Sequence, residues 1–391
     1  MVEKKKLVPE LRFPEFDGEW ELKKTKDIAP LQRGFDLPNS QIENGLFPVV
    51  YSNGILKFHS EYKSKGPGVV TGRSGTIGNV TYVEDNYWPH NTSLWVTDFK
   101  GNNPKYIYYF YVNFKLWKYN AGSTVPTLNR NDVHSILKSI PTLPEQQKIV
   151  EFLSAIDKRI QQLQKKKVLL ETYKKGVMQH IFSQKIRFKD ENGIDFPDWK
   201  EKKLGEIGST YGGLSGKSKE HFGSGKPYVQ YMQIFSYSVV RPEDFGYVEI
   251  SSDEKQNQVR NGDVFFTTSS ETPNEIGTAS VMLSEIEEVY LNSFCFGFRP
   301  KSLEVLDPNY SRYLFRSTLF RSKIIVLAQG STRFNMSKVE LMKLTILLPH
   351  IKEQRKIADL LSNIDASIEQ LTSQFESTKS FKKGLFQKMF I

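Results

Sequence analysis

The chain has 391 residues, 38% of them hydrophobic and 13% aromatic, and carries a formal net charge of +10. That content is globular rather than disordered, the length suits two or three domains, and the charge favours an acidic partner. One cysteine, Cys295, excludes an internal disulfide, and no apolar run is long enough to span a membrane, so the expected location is the cytoplasm.

Met1-Val2-Glu3-Lys4-Lys5-Lys6 lacks the apolar stretch of a signal peptide. From about 20 to 140 the chain reads as an irregular β-rich body. Val69-Val70-Thr71, Asn79-Val80-Thr81-Tyr82-Val83 and Leu94-Trp95-Val96 are short strand-like runs with glycines and prolines between them. A helix starts at Pro104, with Asn103 as its cap. Residues 145–182 then form one long helix, entered past Pro141 and Pro144. Ile149, Ile156, Leu163, Leu170 and Val177 recur every seven residues, and Leu153, Ile160 and Ile181 add a second stripe interrupted by Lys167 and Lys174. That is coiled-coil patterning, over roughly 57 Å of helix. A second β-rich body spans 199–349, with strand-like Val264-Phe265-Phe266-Thr267 and Phe294-Cys295-Phe296, and a helix from Pro308 capped by Asp307. A second long helix covers 353–390, with Ile357, Ile364, Leu371 and Leu385 in one stripe and Leu361, Ile368 and Phe375 in the other.

The two halves are copies of one unit. Residues 122–183 and 330–391 align without a gap. Gly122-Ser123-Thr124 recurs as Gly330-Ser331-Thr332, Glu145-Gln146 as Glu353-Gln354, and Lys174-Lys175-Gly176 as Lys382-Lys383-Gly384. Trp20 with Lys23-Lys24 recurs as Trp199 with Lys202-Lys203. The simplest pairing sets the two long helices against each other, antiparallel if the halves share a two-fold axis. Leu11-Arg12-Phe13 leads into Trp20 as Ile186-Arg187-Phe188 leads towards Trp199, so Ile391 should lie near Leu11. One architecture with two divergent bodies suggests two specificities.

Catalytic chemistry is not evident. Six histidines stand apart from one another and from Cys295, so no zinc site is expected. Gly212-Gly213-Leu214-Ser215-Gly216-Lys217-Ser218 resembles a phosphate loop but has Tyr211 where the first glycine belongs. Asn103-Pro104-Lys105-Tyr106 and Asp307-Pro308-Asn309-Tyr310 lack the second proline of the amino-methyltransferase motif and read as helix caps. No cofactor is expected. Polar and basic recognition remains. The first body offers Arg33, Lys57, Lys63, Lys65 and Arg73, then Ser74, Thr76 and Asn91. The second offers Lys217, Lys219 and Arg333, with Thr267, Thr268, Ser269 and Asn292. Lysine holds phosphate as a point charge, arginine also grips guanine, asparagine suits adenine, and small hydroxyl residues approach base edges closely. Asn91 and Asn292 fall in matching places before the next strand, and the loops after Thr71 and Thr267 also match. The first body is the more basic.

Pro141-Thr142-Leu143-Pro144-Glu145-Gln146-Gln147-Lys148-Ile149, the Leu-Ser-x-Ile-Asp that follows, and their repeat with Lys352 and Arg355 substituted, resemble the specificity subunit of type I restriction–modification enzymes. The resemblance covers nearly the whole chain. It implies an α+β fold: two β-rich target-recognition domains separated by an antiparallel two-helix coiled coil, in a pseudo-two-fold duplication. The implied division is 11–143 for the first recognition domain, 144–183 for the first long helix, 184–351 for linker and second domain, and 352–391 for the second helix. It also implies a non-catalytic subunit that reads double-stranded DNA, one domain per half of a split site. Two methyltransferase subunits would dock on the helices, and restriction and translocase subunits would join through that complex. The alternative is a coiled-coil adaptor or DNA-binding scaffold without sequence readout.

Overall fold

A computed structural model describes residues 7–122 and 124–391. Ser123 of the first Gly-Ser-Thr and the Met1–Lys6 segment lie outside the described residues. The chain divides into two compact units, Met1–Gln164 with Ser373–Ile391, and Lys165–Thr372. Each unit therefore holds one β-rich body, one end of the first long helix and the opposite end of the second.

In the first unit, β1 (Glu21–Lys24) leads into a single helical turn, α1 (Thr25–Ile28). There follow β2 (Leu31–Arg33), β3 (Phe47–Tyr51), β4 (Gly54–His59), β5 (Gly68–Gly72), β6 (Val80–Val83), β7 (Trp88–Pro89) and β8 (Ser93–Val96). Then come α2 (Pro104–Asn113), α3 (Arg130–Ser135), β9 (Leu137–Ile140) and the long α4 (Leu143–Phe182). One sheet has the order β2-β8-β5-β6 and another β4-β3-β7, while β1 pairs antiparallel with β9. Asn103 caps α2, its side chain accepting from the amides of Lys105 and Tyr106 at 2.9 and 3.1 Å. With Pro104 at the first turn, the helix start is fixed by sequence. Its buried face, Tyr106, Ile107, Tyr109 and Phe110, joins Ile149 and Leu153 of α4 in one core. Leu385 and Met389 complete that core.

The second unit repeats the plan. It runs β10 (Lys200–Lys203), α5 (Leu204–Ile207), β11 (Gly208–Gly212), β12 (Phe222–Val229), α6 (Tyr231–Ser236) and β13 (Gly246–Val248). It continues with β14 (Val264–Thr267), β15 (Ser269–Ser270), β16 (Ala279–Val281), β17 (Tyr290–Leu291) and β18 (Cys295–Pro300). Last come α7 (Pro308–Leu314), α8 (Thr318–Ile325), β19 (Phe334–Asn335), α9 (Lys338–Lys343), β20 (Thr345–Leu348) and the long α10 (Ile351–Met389). The sheet orders β11-β18-β14-β16 and β13-β12-β17 match those of the first body. Asp307 caps α7, accepting from Tyr310 N at 2.9 Å. Phe294, read with the strand, lies outside it and is 59% exposed. Its core joins Val177 and Ile181 of α4 to Ile357, Leu361 and Ile364 of α10. Among the described residues, no helix is long and apolar enough to cross a membrane.

Lys174, which interrupts an apolar stripe of α4, and its counterpart Lys382 in α10 both have partners. Lys382 pairs with Asp157 in the first unit, and Lys174 reaches Asp365 Oδ1 at 2.5 Å in the second. Each sits beside the aspartate of a Leu-Ser-x-Ile-Asp, so two repeated motifs are two halves of one contact.

Candidate nucleic-acid interface

The repeated signature builds a frame. In the first unit, Glu145 is 1% exposed and accepts from Arg12 Nε at 2.9 Å, Arg12 Nη2 at 2.7 Å and Trp20 Nε1 at 3.1 Å. In the second, Glu353 accepts from Arg187 Nε at 2.8 Å and Trp199 Nε1 at 3.1 Å. A buried carboxylate needs such charge-assisted partners. The hydrogen bond to Glu145 holds the Arg12 proton more firmly, and the same bond to Glu353 acts on Arg187. Gln146 accepts from Asn103 N and donates to Asn102 and Pro141 O; Gln354 accepts from Asp307 N and donates to Val305 O and Pro349 O. These repeated residues fix each body to its helices.

On that frame, each body carries the same cluster of three loops. In the first, Arg73 N and Ser74 N donate to Thr92 O, Leu128 N donates to Arg73 O, and Gly75 N donates to Pro126 O. In the second, Thr268 N donates to Phe294 O, Met336 N donates to Thr268 O, and Ser269 pairs with Asn335. The chain after the central strand thus meets the turn before β8 or β18 and the turn after Gly122 or Gly330. Gly330 has φ +132°, and a Cβ there would meet Arg333 O at 2.1 Å, so this turn requires glycine.

The first cluster is polar and basic. Arg33 pairs with Asp36 at 3.1 Å, Asn91 Nδ2 bonds Asp36, and Arg73 Nε donates to Asn91 O at 3.1 Å. Burial and the neighbouring Arg33 lower the pKa of Arg73. Lys57 Nζ reaches Asn39 Oδ1 at 2.7 Å. Asp36, Asn39, His90 and Asn91, with Leu37, Pro38 and Tyr51, border a cavity of about 300 Å³. The second cluster is mostly apolar. Tyr231, Met232, Phe235 and Phe294, with Glu271, Glu275 and Arg333, border about 320 Å³. Among the described residues no group of His, Cys, Asp or Glu could hold a metal.

Residues 17–172 and 197–376 match the family "Type I restriction modification DNA specificity domain". The chain belongs to the type I restriction–modification specificity subunits. Similar curated proteins include two specificity subunits from Methanocaldococcus jannaschii. The MjaVIII subunit is 26% identical over 68% of this chain, a match spanning only 63% of that protein. The MjaIX subunit is 22% identical over 95% of this chain and 92% of its own length. Among solved structures, the S subunit of a type I system from M. genitalium superposes with a TM-score of 0.61 at 15% identity, covering 98% of this chain and 99% of that one. A structure described for complex assembly and conformational transition of the type I system gives 0.58 at 17% identity, over 95% and 96% of the two chains. The fold is that of a specificity subunit, the non-catalytic DNA specificity component of such a system.

Within this specificity subunit the candidate side chains separate into groups. Arg33, Lys57, Arg73 and Asn91 come together around Asp36 and Asn39. Ser74 joins them through the loop backbone, and Thr76 is exposed on the same loop. Lys63 is exposed and lies 4.8 Å from the Trp88 ring centroid, and Lys65 is exposed beside it. In the second body Thr268, Ser269, Asn292 and Arg333 share the loop cluster, while Lys219 is exposed on a separate turn, Lys219–His221.

Three readings need correction. Lys217 is turned inward, its side chain 5% exposed and its charge met by Glu254 at 2.5 Å. That hydrogen bond holds the Glu254 carboxyl down at about 2. Lys217 therefore supports a loop and offers no free charge to phosphate. Thr267 is fully buried and accepts from Thr278 N at 3.0 Å, so it is framework. Asn292 does not correspond to Asn91. Asn292 N donates to Val229 O, and its carbonyl accepts from Cys295 N; His90 makes the same pair of bonds with Val50 and Ser93. The structural match is His90, one residue earlier. Sequence reasoning also missed Met232 and Phe294, because it looked for polar and basic side chains.

Proposed function

We propose that this specificity subunit reads a split double-stranded DNA site, one recognition domain per half, and assembles two methyltransferase subunits on its helices. Nuclease and translocase subunits join through that complex, in the cytoplasm. The observation that carries the reading is one backbone frame presenting two unlike sets of side chains. Shared hydrogen bonds fix the three loops of each cluster, while the groups they present differ in charge and polarity. A frame of this kind positions, and its variable loops specify.

Repetition on the helices supports two equal partners. Tyr173 and Phe381 hold the same place in the two copies, and each is 57% exposed. Each stands next to Lys-Lys-Gly, and a Cβ on Gly176 or Gly384 would meet nothing within 4 Å. A glycine inside a helix costs about 1 kcal/mol relative to alanine. Among the described residues no contact accounts for it in either copy, whereas close approach by a partner does. An exposed aromatic beside it supplies an anchor of the kind interfaces favour.

The test exchanges residues 20–140 for the first body of another family member and maps methylated adenines in a host carrying the methyltransferase partner. One half of the target should change and the other should stay. Loss of both halves, with assembly intact, would overturn the one-domain-per-half reading. Tyr173→Ala and Phe381→Ala should each weaken methyltransferase binding about tenfold or more, since hot-spot truncations exceed about 2 kcal/mol. Methyltransferase binding by both variants that is unchanged from the parent would remove these helix faces as docking sites.

A further inference from the structure

The apolar cavity of the second recognition domain has chemistry that the basic first cluster lacks. Phe294 presents its ring 59% exposed, yet its backbone is pinned: its amide donates to Asn292 Oδ1 at 2.8 Å, and its carbonyl accepts from Thr268 N at 3.0 Å and Thr268 Oγ1 at 2.7 Å. Met232, 60% exposed, shares the mouth of the cavity. Tyr231 is held by its hydroxyl, which donates to Ser269 O at 2.8 Å. An exposed apolar surface, from Phe294 on a pinned backbone and Met232 on α6, therefore borders the loop cluster that faces DNA in the proposed reading.

Two carboxylates, Glu271 and Glu275, share this cavity. They repel phosphate, so the nucleic-acid backbone is a poor occupant and a base edge a good one. In the major groove the one apolar group offered by any base pair is the 5-methyl of thymine. The same T·A pair presents the adenine N6 amino group, a donor that a carboxylate accepts. Arg333, on the cavity rim, supplies a cation for an adjoining phosphate.

We propose that the second domain reads a T·A pair by seating the thymine methyl against Phe294 and Met232. This rests on the half-site reading above and adds its chemistry at one position. The test uses the full chain with its methyltransferase partner and a duplex carrying the mapped target. Each thymine of the second half-site is replaced singly by deoxyuridine, which removes the methyl and keeps every hydrogen-bonding group. At one position binding should weaken about fourfold, the value of one buried methylene-sized group. Phe294→Ala and Met232→Ala should bind thymine and uracil targets alike at that position. Both side chains are exposed, so folding is not at stake; circular dichroism of each variant checks it. Selective binding that is indifferent to uracil at every second half-site position, or a second half-site without thymine, overturns this proposal and leaves the half-site reading intact. Absence of any sequence-selective binding by the complex overturns both.

Discussion

Tyr109 donates its hydroxyl to Asp157 Oδ2 at 2.7 Å, joining the first recognition domain to α4. Ser154 Oγ lies 3.2 Å from the same hydroxyl, and Lys382 of α10 reaches the other carboxylate oxygen. The second unit repeats this, with Tyr313 on Asp365 at 2.8 Å and Ser362 at 3.1 Å, and adds Arg312 at 2.8 Å. One aspartate thus couples a recognition domain to both helices. Tyr109→Phe should destabilise its unit by about 1.5–3 kcal/mol, the range for a hydrogen bond to a charged group. Tyr313→Phe should cost less, because Arg312 and Lys174 both remain on Asp365. Urea unfolding midpoints of the two variants check the order. Equal losses would mean that Arg312 adds nothing.

Buried tyrosines make the fold sensitive to alkali. Burial raises the pKa of Tyr106, Tyr109, Tyr111, Tyr310 and Tyr313, and pushes Tyr87 up to about 12. In the unfolded chain these phenols ionise near 10. The folded state keeps its protons longer, so their contribution is complete below about pH 10 and is lost as pH rises towards 12 and beyond. Stability should therefore fall steeply above pH 10, and phenolate absorbance should appear together with unfolding. Full ionisation at pH 10.5 in a still-folded chain would refute the burial assignment.

The frame was legible because it is written twice. Helix periodicity, the caps Asn103 and Asp307, and the Glu-Gln and Leu-Ser-x-Ile-Asp repeats all act through local or repeated chemistry. The site was less legible, because exposure depends on contacts distant in sequence. Lys217 looks like a free cation until Glu254 folds onto it, and Thr267 looks like a loop hydroxyl until Thr278 covers it. Asn292 aligned with Asn91 by residue type, whereas backbone bonding aligns it with His90. Phe294 continued a strand-like run in sequence, and only the folded chain separates its exposed ring from buried Cys295.

Arg73 and Arg333 should differ in how they act on DNA. Arg73 is half-buried and held by Asn91 O, a setting for a fixed base contact. Arg73→Ala should cost about 1–3 kcal/mol at one base position of the first half-site. Arg333 is exposed on the turn after Gly330, a setting for phosphate. Arg333→Ala should weaken all sequences alike and reduce the slope of log K against log salt by about 0.9. Binding titrations at several salt concentrations separate the two. A sequence-dependent loss for Arg333→Ala would move it to the base-reading group.

Leu11 N donates to Lys388 O at 2.9 Å, and Ile186 N donates to His180 O at 3.2 Å. These bonds are equivalent: each turns the chain out of a long helix into the segment carrying Arg12 or Arg187. In the continuous case Ile186 is the sixth residue after His180. Joining Ile391 to Pro9 would make Leu11 the sixth residue after Lys388. The join would then copy the natural connection in length. It would not copy it in conformation, because Pro9 would take the place of Gln184, whose φ is +59°. Proline is locked near −65° and cannot adopt that turn, whereas glycine can. The permutant should therefore run Ile391-Gly-Glu10, with new ends between Asn192 and Gly193, on an exposed loop. It loses the backbone bond from Trp20 N to Leu7 O at 2.8 Å, worth about 1 kcal/mol, and opens the exposed turn closed by Asp190 N to Ile194 O at 2.8 Å and Gly193 N to Asp190 O at 3.3 Å. It should fold, bind the same target and unfold within about 2 kcal/mol of the parent. The same permutant with Pro9 retained should be less stable than the glycine version. Equal stability of the two joins, or a glycine join that fails to fold, would show that the two connections are not built alike.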